Sequence, residues 1–360
     1  MPSIHATAEV DALARGLRID RHRLRRMRVA YYQKYRSPED ALRELSAGDA
    51  DRSPADAFAA TTTFGLLKLV SRHDSQLDGA SKLIFRTAAG FLIESVAMRM
   101  ATGRTSLCIS SQVGCAANCS FCATGKMGIA RSLTAGEIVE QVLGAGRLLA
   151  AEGRRVRNVV FMGMGEPLHN EDHVVAALEL LTSPAACNFS PRHLLVSTVG
   201  IPDGMVRLAR RFPEIGLALS LHIVRPAVRE QIMPIARRHS LAELRSALVE
   251  TAALLRRPVM IEYLLLAGLT DTPADAAALV EYLAGLGVHV NLIPYNQVDD
   301  APELVGTDRA GRQAFSEQLK AAGLRVTTRY SLGADVAAAC GQLVRKENRQ
   351  IALELPLPLA

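Results

Sequence analysis

Long apolar runs are missing from this 360-residue sequence, and no stretch reaches the roughly 18 uninterrupted apolar residues of a membrane-spanning helix. Glu9 and Asp11 precede any hydrophobic run at the amino terminus, which does not fit a secretory signal, so a cytoplasmic protein with no membrane partner is expected. Internal sequence repeats are lacking, and low complexity is limited to alanine-rich helical stretches such as residues 274–278, which argues against solenoids and arrays. No charge sign is in large excess. The 42 Lys and Arg residues against 36 Asp and Glu leave a net +6 and a pI near 9.1, which suggests an anionic partner without specifying nucleic acid. A composition 49% hydrophobic and 22% charged excludes a mostly disordered chain.

Cysteine is also scarce, with six in the chain, and a protein of this length builds a sufficient core without disulfide staples. Four of the six, at 108, 115, 119 and 122, crowd into one short segment, which points to metal binding or thiol chemistry in a reducing compartment.

The organisation changes near residue 107. Before it lie a basic stretch over residues 18–36, a Ser/Asp/Ala-rich segment over 46–60, and two strand-like runs, 82–86 and 91–98, which flank Ala88-Ala89-Gly90 as a plausible hairpin. After it, short β-rich runs alternate with helical patterns at 107–110, 159–162, 194–199, 217–221, 259–265 and 289–293. That alternation predicts βα units on a parallel sheet, an α/β partial (βα)6 barrel. Thr134 with Glu137, and Thr272 followed by Pro273, mark helix starts. The predicted division is an accessory region at 1–80, a β-hairpin extension at 81–106, a barrel at 107–300 and a carboxyl-terminal extension at 301–360.

Cys115-Ala-Ala-Asn-Cys119-Ser-Phe-Cys122 follows the first predicted barrel strand, at the end where βα barrels place their chemistry. Three thiolates are soft ligands suited to iron-sulfur clusters or zinc, and on a 4Fe-4S cluster they leave one iron open. A structural zinc site would require a fourth ligand, and the loop contains no histidine.

The C-x3-C-x2-C spacing is the signature of the radical S-adenosylmethionine (SAM) superfamily. The runs Cys108-Ile-Ser-Ser-Gln-Val-Gly-Cys115, Gly163-Met-Gly-Glu-Pro167 and Ala339-Cys-Gly-Gln-Leu343 narrow the resemblance to the RlmN/Cfr family of RNA adenosine methyltransferases, over about residues 82–343. The resemblance implies a 4Fe-4S cluster on Cys115, Cys119 and Cys122. It implies SAM contacts at Gly165, Glu166, Ser197, Ser220, Leu221, His222 and Asn296, all near predicted strand ends. Taken singly, these are ordinary turn glycines, backbone-satisfying serines and a buried histidine.

Cys340, otherwise readable as a small buried hydrophobe, is implied to accept a methyl group from SAM and become S-methylcysteine. C2 and C8 of adenine are electrophilic and cannot attack a methyl cation equivalent, so a second SAM is implied to supply the radical that activates this methyl group. Cys108 is then the implied resolving thiol, releasing product through a transient disulfide with Cys340. Glu94 is the implied proton acceptor, although on an alternating strand it also reads as a solvent-facing residue. Cys187 matches no motif and reads as structural.

An RNA substrate is implied, 23S ribosomal RNA or transfer RNA, together with a flavodoxin-type electron donor and a monomeric enzyme. Arg18 to Arg28 with Tyr31, Tyr32 and Tyr35 fit phosphate pairing and base stacking, or equally a solvated basic helix over a tyrosine core stripe. Two departures from the family bear on the substrate. The accessory region is short and weakly matched, and Arg329-Tyr-Ser-Leu-Gly333 replaces a more basic run. A radical SAM enzyme acting on a small aromatic substrate, and a zinc-stabilised RNA-binding module without catalysis, are the other readings of the same residues.

Overall fold

Alternating hydrophobic segments fold into a ten-stranded sheet in the computed structural model, which describes residues 1–47, 51–343 and 347–354. In chain order its strands are β1 (Leu67–Asp74), β2 (Ala80–Thr87), β3 (Leu92–Arg99), β4 (Thr105–Cys108), β7 (Asn158–Phe161), β8 (Leu194–Thr198), β9 (Gly216–Ser220), β10 (Val259–Leu265), β11 (Val288–Pro294) and β12 (Arg325–Thr328). A separate two-stranded ribbon pairs β5 (Gln112–Cys115) with β6 (Gly128–Ser132). Strands β4, β7, β8, β9, β10, β11 and β12 are parallel neighbours in that order, with β3, β2 and β1 added antiparallel beside β4. Apolar runs such as Leu217-Ala-Leu219 are wholly buried because crossover helices cover the sheet.

All six predicted barrel strands are present, within two residues of their expected positions. Three features differ from expectation. The antiparallel extension has a third strand, β1, so it begins at Leu67 rather than near residue 81. β1 exposes nearly every residue, including Lys68 and Arg72, so it carries no apolar alternation; a charged edge strand has one side open to solvent. β12 adds a seventh parallel strand, only four residues long and largely exposed. β5 and β6 flank the cysteine loop as a ribbon where a bare loop was expected. Parts of the predicted 301–360 extension, 344–346 and 355–360, lie outside the described residues, as do 48–50.

The helix Ala135–Ala151 starts at the expected capping box, where the Thr134 hydroxyl accepts from the Glu137 N–H and the Glu137 carboxylate accepts from the Thr134 N–H at 2.9 Å. It buries residues all around its circumference, because the sheet lies on one side and the amino-terminal helices on the other. Those helices are Thr7–Gly16, Arg21–Arg28, Pro38–Ser46 and Ser53–Thr61, with a π-turn at Val29–Gln33.

Tyr31 and Tyr32 are 0% exposed. The Tyr31 hydroxyl bonds Glu140, and that of Tyr32 donates to the Ile4 carbonyl at 3.0 Å. His5 lies 3.1 Å from the Glu140 carboxylate and 3.2 Å from the Tyr32 hydroxyl. Of the two readings of this stretch, the core stripe therefore holds for Tyr31 and Tyr32, which have no face to offer a base. Arg28 is buried too, pairing with Asp11 at 2.9 Å.

Candidate active site

Parallel strands deliver their carboxyl ends to one rim, and the loops leaving β5, β7, β8, β9, β10, β11 and β12 enclose a cavity of about 170 Å³ there. Cys115 closes β5, while Cys119 and Cys122 follow on the loop, and all three line this cavity. Burial raises all three thiols, that of Cys115 to about 12, and neighbouring thiols add to the effect. Such groups are poor free thiols but good ligands once a metal displaces their protons. Among the described residues no three His, Cys, Asp or Glu side chains converge on a single-ion position. Three soft thiolates on one loop, all lining the cavity, suit a multi-iron cluster, which meets each ligand at a different iron.

The approach to this loop is fixed from below by Gln141 of the long helix. Its amide oxygen accepts from the Ser110 N–H and the Ser95 hydroxyl, each at 2.8 Å, and its NH2 donates to the Ser110 carbonyl at 2.9 Å. Across the cavity, Gly165 turns at φ +102°, where an added Cβ would sit 2.6 Å from Gln112. Only glycine allows that approach. The buried Glu166 carboxylate accepts from the Leu168 N–H at 3.0 Å and the Val199 N–H at 2.8 Å, fastening this turn to the end of β8. Burial raises its pKa, and those bonds counter the rise.

Six of the seven residues expected to hold SAM line the cavity: Gly165, Glu166, Ser197, Ser220, His222 and Asn296. Leu221 does not; its side chain is buried in the core. The Ser197 and Ser220 hydroxyls lie 3.4 Å apart. His222 takes a left-handed backbone at φ +60°. Burial and then Arg229 push its pKa down to about 3, so its ring is neutral near pH 7. The buried His222 Nδ1 and Glu262 Oε1 have no hydrogen-bond partner here, the condition in which a ligand group completes a site.

Cys340 also lines this cavity, and together with Cys108 it lines an adjoining one of about 30 Å³. The Asn296 NH2 donates to the Cys340 carbonyl at 3.0 Å and lies 3.1 Å from the Ser331 hydroxyl. The Ala123 N–H donates to the Gly341 carbonyl at 2.8 Å, docking the Cys340 segment on the cysteine loop. All six cysteines are free thiols. Burial, and then Cys340, raise the Cys108 thiol to about 12.

Glu94 is not solvent-facing: it is 1% exposed and lies 3.7 Å from the Lys82 ammonium. It lines neither cavity, but it shares a face of β3 with Val96 and Met98, which line the small one. Cys187 is buried and lines neither cavity.

Sequence reasoning missed three polar residues. Glu262, in the middle of an apolar strand, accepts from the Asn291 NH2 at 2.7 Å, and its charge amid buried hydrophobic residues was the available signal. Arg229, buried, donates to the Val199 and Leu221 carbonyls at 3.0 and 3.3 Å, tying two strand ends together. Arg329 lines both cavities and donates to the Met162 sulfur at 3.1 Å. Its pKa is raised, most by Cys340 and further by Glu262 and Cys108, against a lowering by burial. It follows β12, the strand the sequence concealed.

The Radical SAM superfamily profile matches residues 109–283. A probable RNA methyltransferase of Rhodopirellula baltica is 49% identical over 97% of this chain and 89% of its own length. A probable dual-specificity RNA methyltransferase RlmN of Thermus thermophilus is 41% identical, over 93% of this chain and 92% of that protein. This chain belongs to the RlmN/Cfr family. The crystal structure of a radical SAM methyltransferase from Sphaerobacter thermophilus shares its fold at a TM-score of 0.89 and 35% identity, covering 95% of this chain and 99% of that one. The RlmN/Cfr protein is therefore a SAM-dependent enzyme of radical type, with an iron-sulfur cluster and SAM as cofactors, and the non-catalytic zinc module is set aside. Among the described residues no helix is long and apolar enough to cross a membrane.

Proposed function

We propose that this enzyme methylates an adenosine carbon of RNA, C2 or C8, with 23S ribosomal RNA the first candidate and transfer RNA the second. The reaction runs through S-methylated Cys340 and consumes two SAM molecules per turnover. The observation that carries the reading is the meeting of Cys340 and Cys108 in one small cavity beside that of the cysteine loop. Relatives named as RNA methyltransferases support the RNA substrate.

Cys115, Cys119 and Cys122 would hold the cluster. The Gly165 turn, Ser197, Ser220, His222 and Asn296 would hold SAM, with Leu221 contributing backbone. When bound, these groups supply the one-electron cleavage that starts radical chemistry, fed by a flavodoxin-type donor.

The chain's own residues do the rest. Cys340 gives up its proton and takes on sulfur the methyl group of the first SAM, whose sulfonium–methyl bond breaks to release S-adenosylhomocysteine, with Arg329 as the cation beside it. After the methyl carbon has bonded to adenine, Glu94, 3.7 Å from the Lys82 ammonium, takes the proton lost from the adduct, and the one electron that the adduct sheds would return to the cluster. A Cys108 thiolate then attacks the Cys340 sulfur: the S–S bond forms as the bond from sulfur to the RNA-bound carbon breaks, and that carbon keeps the electron pair and takes the proton held by Glu94 to become the methyl group. Tyr330, 65% exposed beside the small cavity, offers a ring for stacking an extruded base.

Mass spectrometry of cluster-loaded protein incubated with methyl-labelled SAM tests this reading. A label on Cys340, absent from Cys340→Ala, is the expected result, and Cys108→Ala should accumulate protein joined to RNA. An unlabelled Cys340 in protein that still cleaves SAM would overturn the two-cysteine route.

A further inference from the structure

The rim opposite the active site carries an unusual concentration of arginine. Arg104, Arg157, His193 and Arg257 stand just before β4, β7, β8 and β10, which with β9 are five neighbouring parallel strands. At about 4.8 Å per strand they form a band roughly 19 Å wide. Two adjoining concavities, of about 350 and 590 Å³, lie along it and share Arg157 and His193. Together they are lined by six arginines, with Arg155, Arg192 and Arg256 completing the set, and by no lysine.

Their charge is poorly compensated within the chain. The one carboxylate lining either concavity among the described residues is Glu214, paired with Arg256 at 2.7 Å and Arg192 at 3.9 Å. The Arg257 guanidinium donates to the Arg192 carbonyl at 2.8 Å, which orients it without neutralising it. Arg155 and Arg157 make no side-chain hydrogen bond or ion pair with the described residues. The His193 pKa is lowered by burial and then by Arg157, Arg257 and Arg155, so three guanidinium groups bear on that point. Planar, always charged forks of this kind match phosphate oxygens better than ammonium groups do.

The smaller concavity adds a different chemistry. Tyr35 and Phe189, both half-buried, present ring surface beside Gln33 and Asn188. Gln33 donates to the Pro184 and Ala186 carbonyls at 3.2 and 3.0 Å, fixing the amino-terminal segment against this edge of the barrel. Guanidinium groups along a groove with aromatic faces at one end are the combination that binds a nucleic-acid strand through phosphates and stacking.

We propose that this arginine band is a second RNA-binding surface, gripping the phosphodiester backbone of the substrate RNA on the face away from the reacting adenosine. The inference rests on the reading of the protein as an RNA methyltransferase. It gives the chain's excess of positive charge a use that the active-site cavity does not, since Arg329 is the one Arg or Lys lining that cavity among the described residues.

The experiment uses full-length, cluster-loaded protein and a fragment of 23S ribosomal RNA, comparing wild type with Arg155→Gln/Arg157→Gln/Arg257→Gln and with the corresponding triple lysine variant. Affinity is measured across a potassium chloride series. Because each phosphate contact contributes about 0.7 to 0.9 to the salt slope, the glutamine variant should lower that slope by roughly 2 to 3. It should also weaken binding roughly 10- to 100-fold at low salt, while the lysine variant stays closer to wild type. Methyl transfer to Cys340, which needs no RNA, should be unchanged in both and certifies a folded active site. An unchanged slope and affinity in the glutamine variant would overturn the band while leaving the methyltransferase reading intact. A wild-type protein that binds no RNA overturns both. Displacement of the RNA by millimolar inorganic phosphate, or by polyglutamate at equal charge, would overturn it in favour of a small-anion or acidic-protein site.

Discussion

Two buried polar networks, one built on Glu140 of the helix Ala135–Ala151 and one at the carboxyl-terminal rim of the barrel, differ in completeness. Beneath the amino-terminal helices, the Glu140 carboxylate takes bonds from His5 and Tyr31, and Tyr32 is satisfied by Ile4. Every partner belongs to the chain. At the carboxyl-terminal rim of the barrel, His222 Nδ1 and Glu262 Oε1 are equally buried and lack partners, with Arg329 held chiefly by a methionine sulfur. A closed network of this kind stabilises a docking contact, whereas an open one retains a desolvation cost that a ligand can relieve. Burial of polar groups therefore does not identify a site by itself, and neither does a missing partner, since Thr62, Thr251 and Arg147 also hold unpartnered buried atoms; at His222 and Glu262 the missing partner coincides with the lining of the cavity.

The sharpest test of that contrast is Arg329→Gln. Removing a charge from the open network should slow methyl appearance on Cys340 roughly 100-fold, with little change in thermal midpoint. A large loss of stability with normal methylation would make Arg329 a structural residue and break the comparison. The counterpart is Glu140→Ala, which strips the closed network of its carboxylate. It should cost about 3 to 5 kcal/mol in chemical denaturation, with Cys340 methylation per folded molecule preserved.

Acid should separate the two networks without mutation. Burial pushes the Glu140 pKa up, but the bond and charge of His5, the Tyr31 hydroxyl and Arg147 outweigh it and hold the value below the ordinary carboxylate range. Its stabilising contribution is full above the unfolded value and is lost as pH falls through the folded one. Glu166 and Glu262 are raised by burial, so their sign is opposite: they favour the folded state when protonated, and that benefit is lost as pH rises through their folded values. Hydrogen exchange, compared between pH 7 and acid conditions below the ordinary carboxylate range, should show residues 1–61 losing protection before the barrel strands do. The smallest effect expected is that of Thr134→Ala, which removes the cap of the helix that carries Glu140. It should cost about 1 kcal/mol, measured as a lowered denaturation midpoint.

Much of this architecture could be read from residue order, and the misses have a common cause. The six buried strands, the Thr134 and Thr272 caps and the cysteine spacing are local features, set by apolar period, capping chemistry and ligand geometry within a few residues. β1 and β12 were missed because an edge strand is held by hydrogen bonds from one neighbour and needs no apolar alternation. Leu221 was placed with the SAM contacts by motif, and its side chain lies in the core while those of its neighbours Ser220 and His222 line the cavity.

What the sequence determined on its own was the cysteine spacing, the motifs that carry the family resemblance and the strand sequence of the barrel, since all are written in short-range order that survives any packing. Tertiary structure alone decided that Tyr31 and Tyr32 are core, that Cys108 and Cys340 share a cavity, and that Arg329 stands between two cavities. Six arginines scattered from Arg104 to Arg257 become one band only because parallel strands bring their starting ends to a single rim. Those facts depend on contacts between residues far apart along the chain, which no local period encodes and only the closing of the sheet creates.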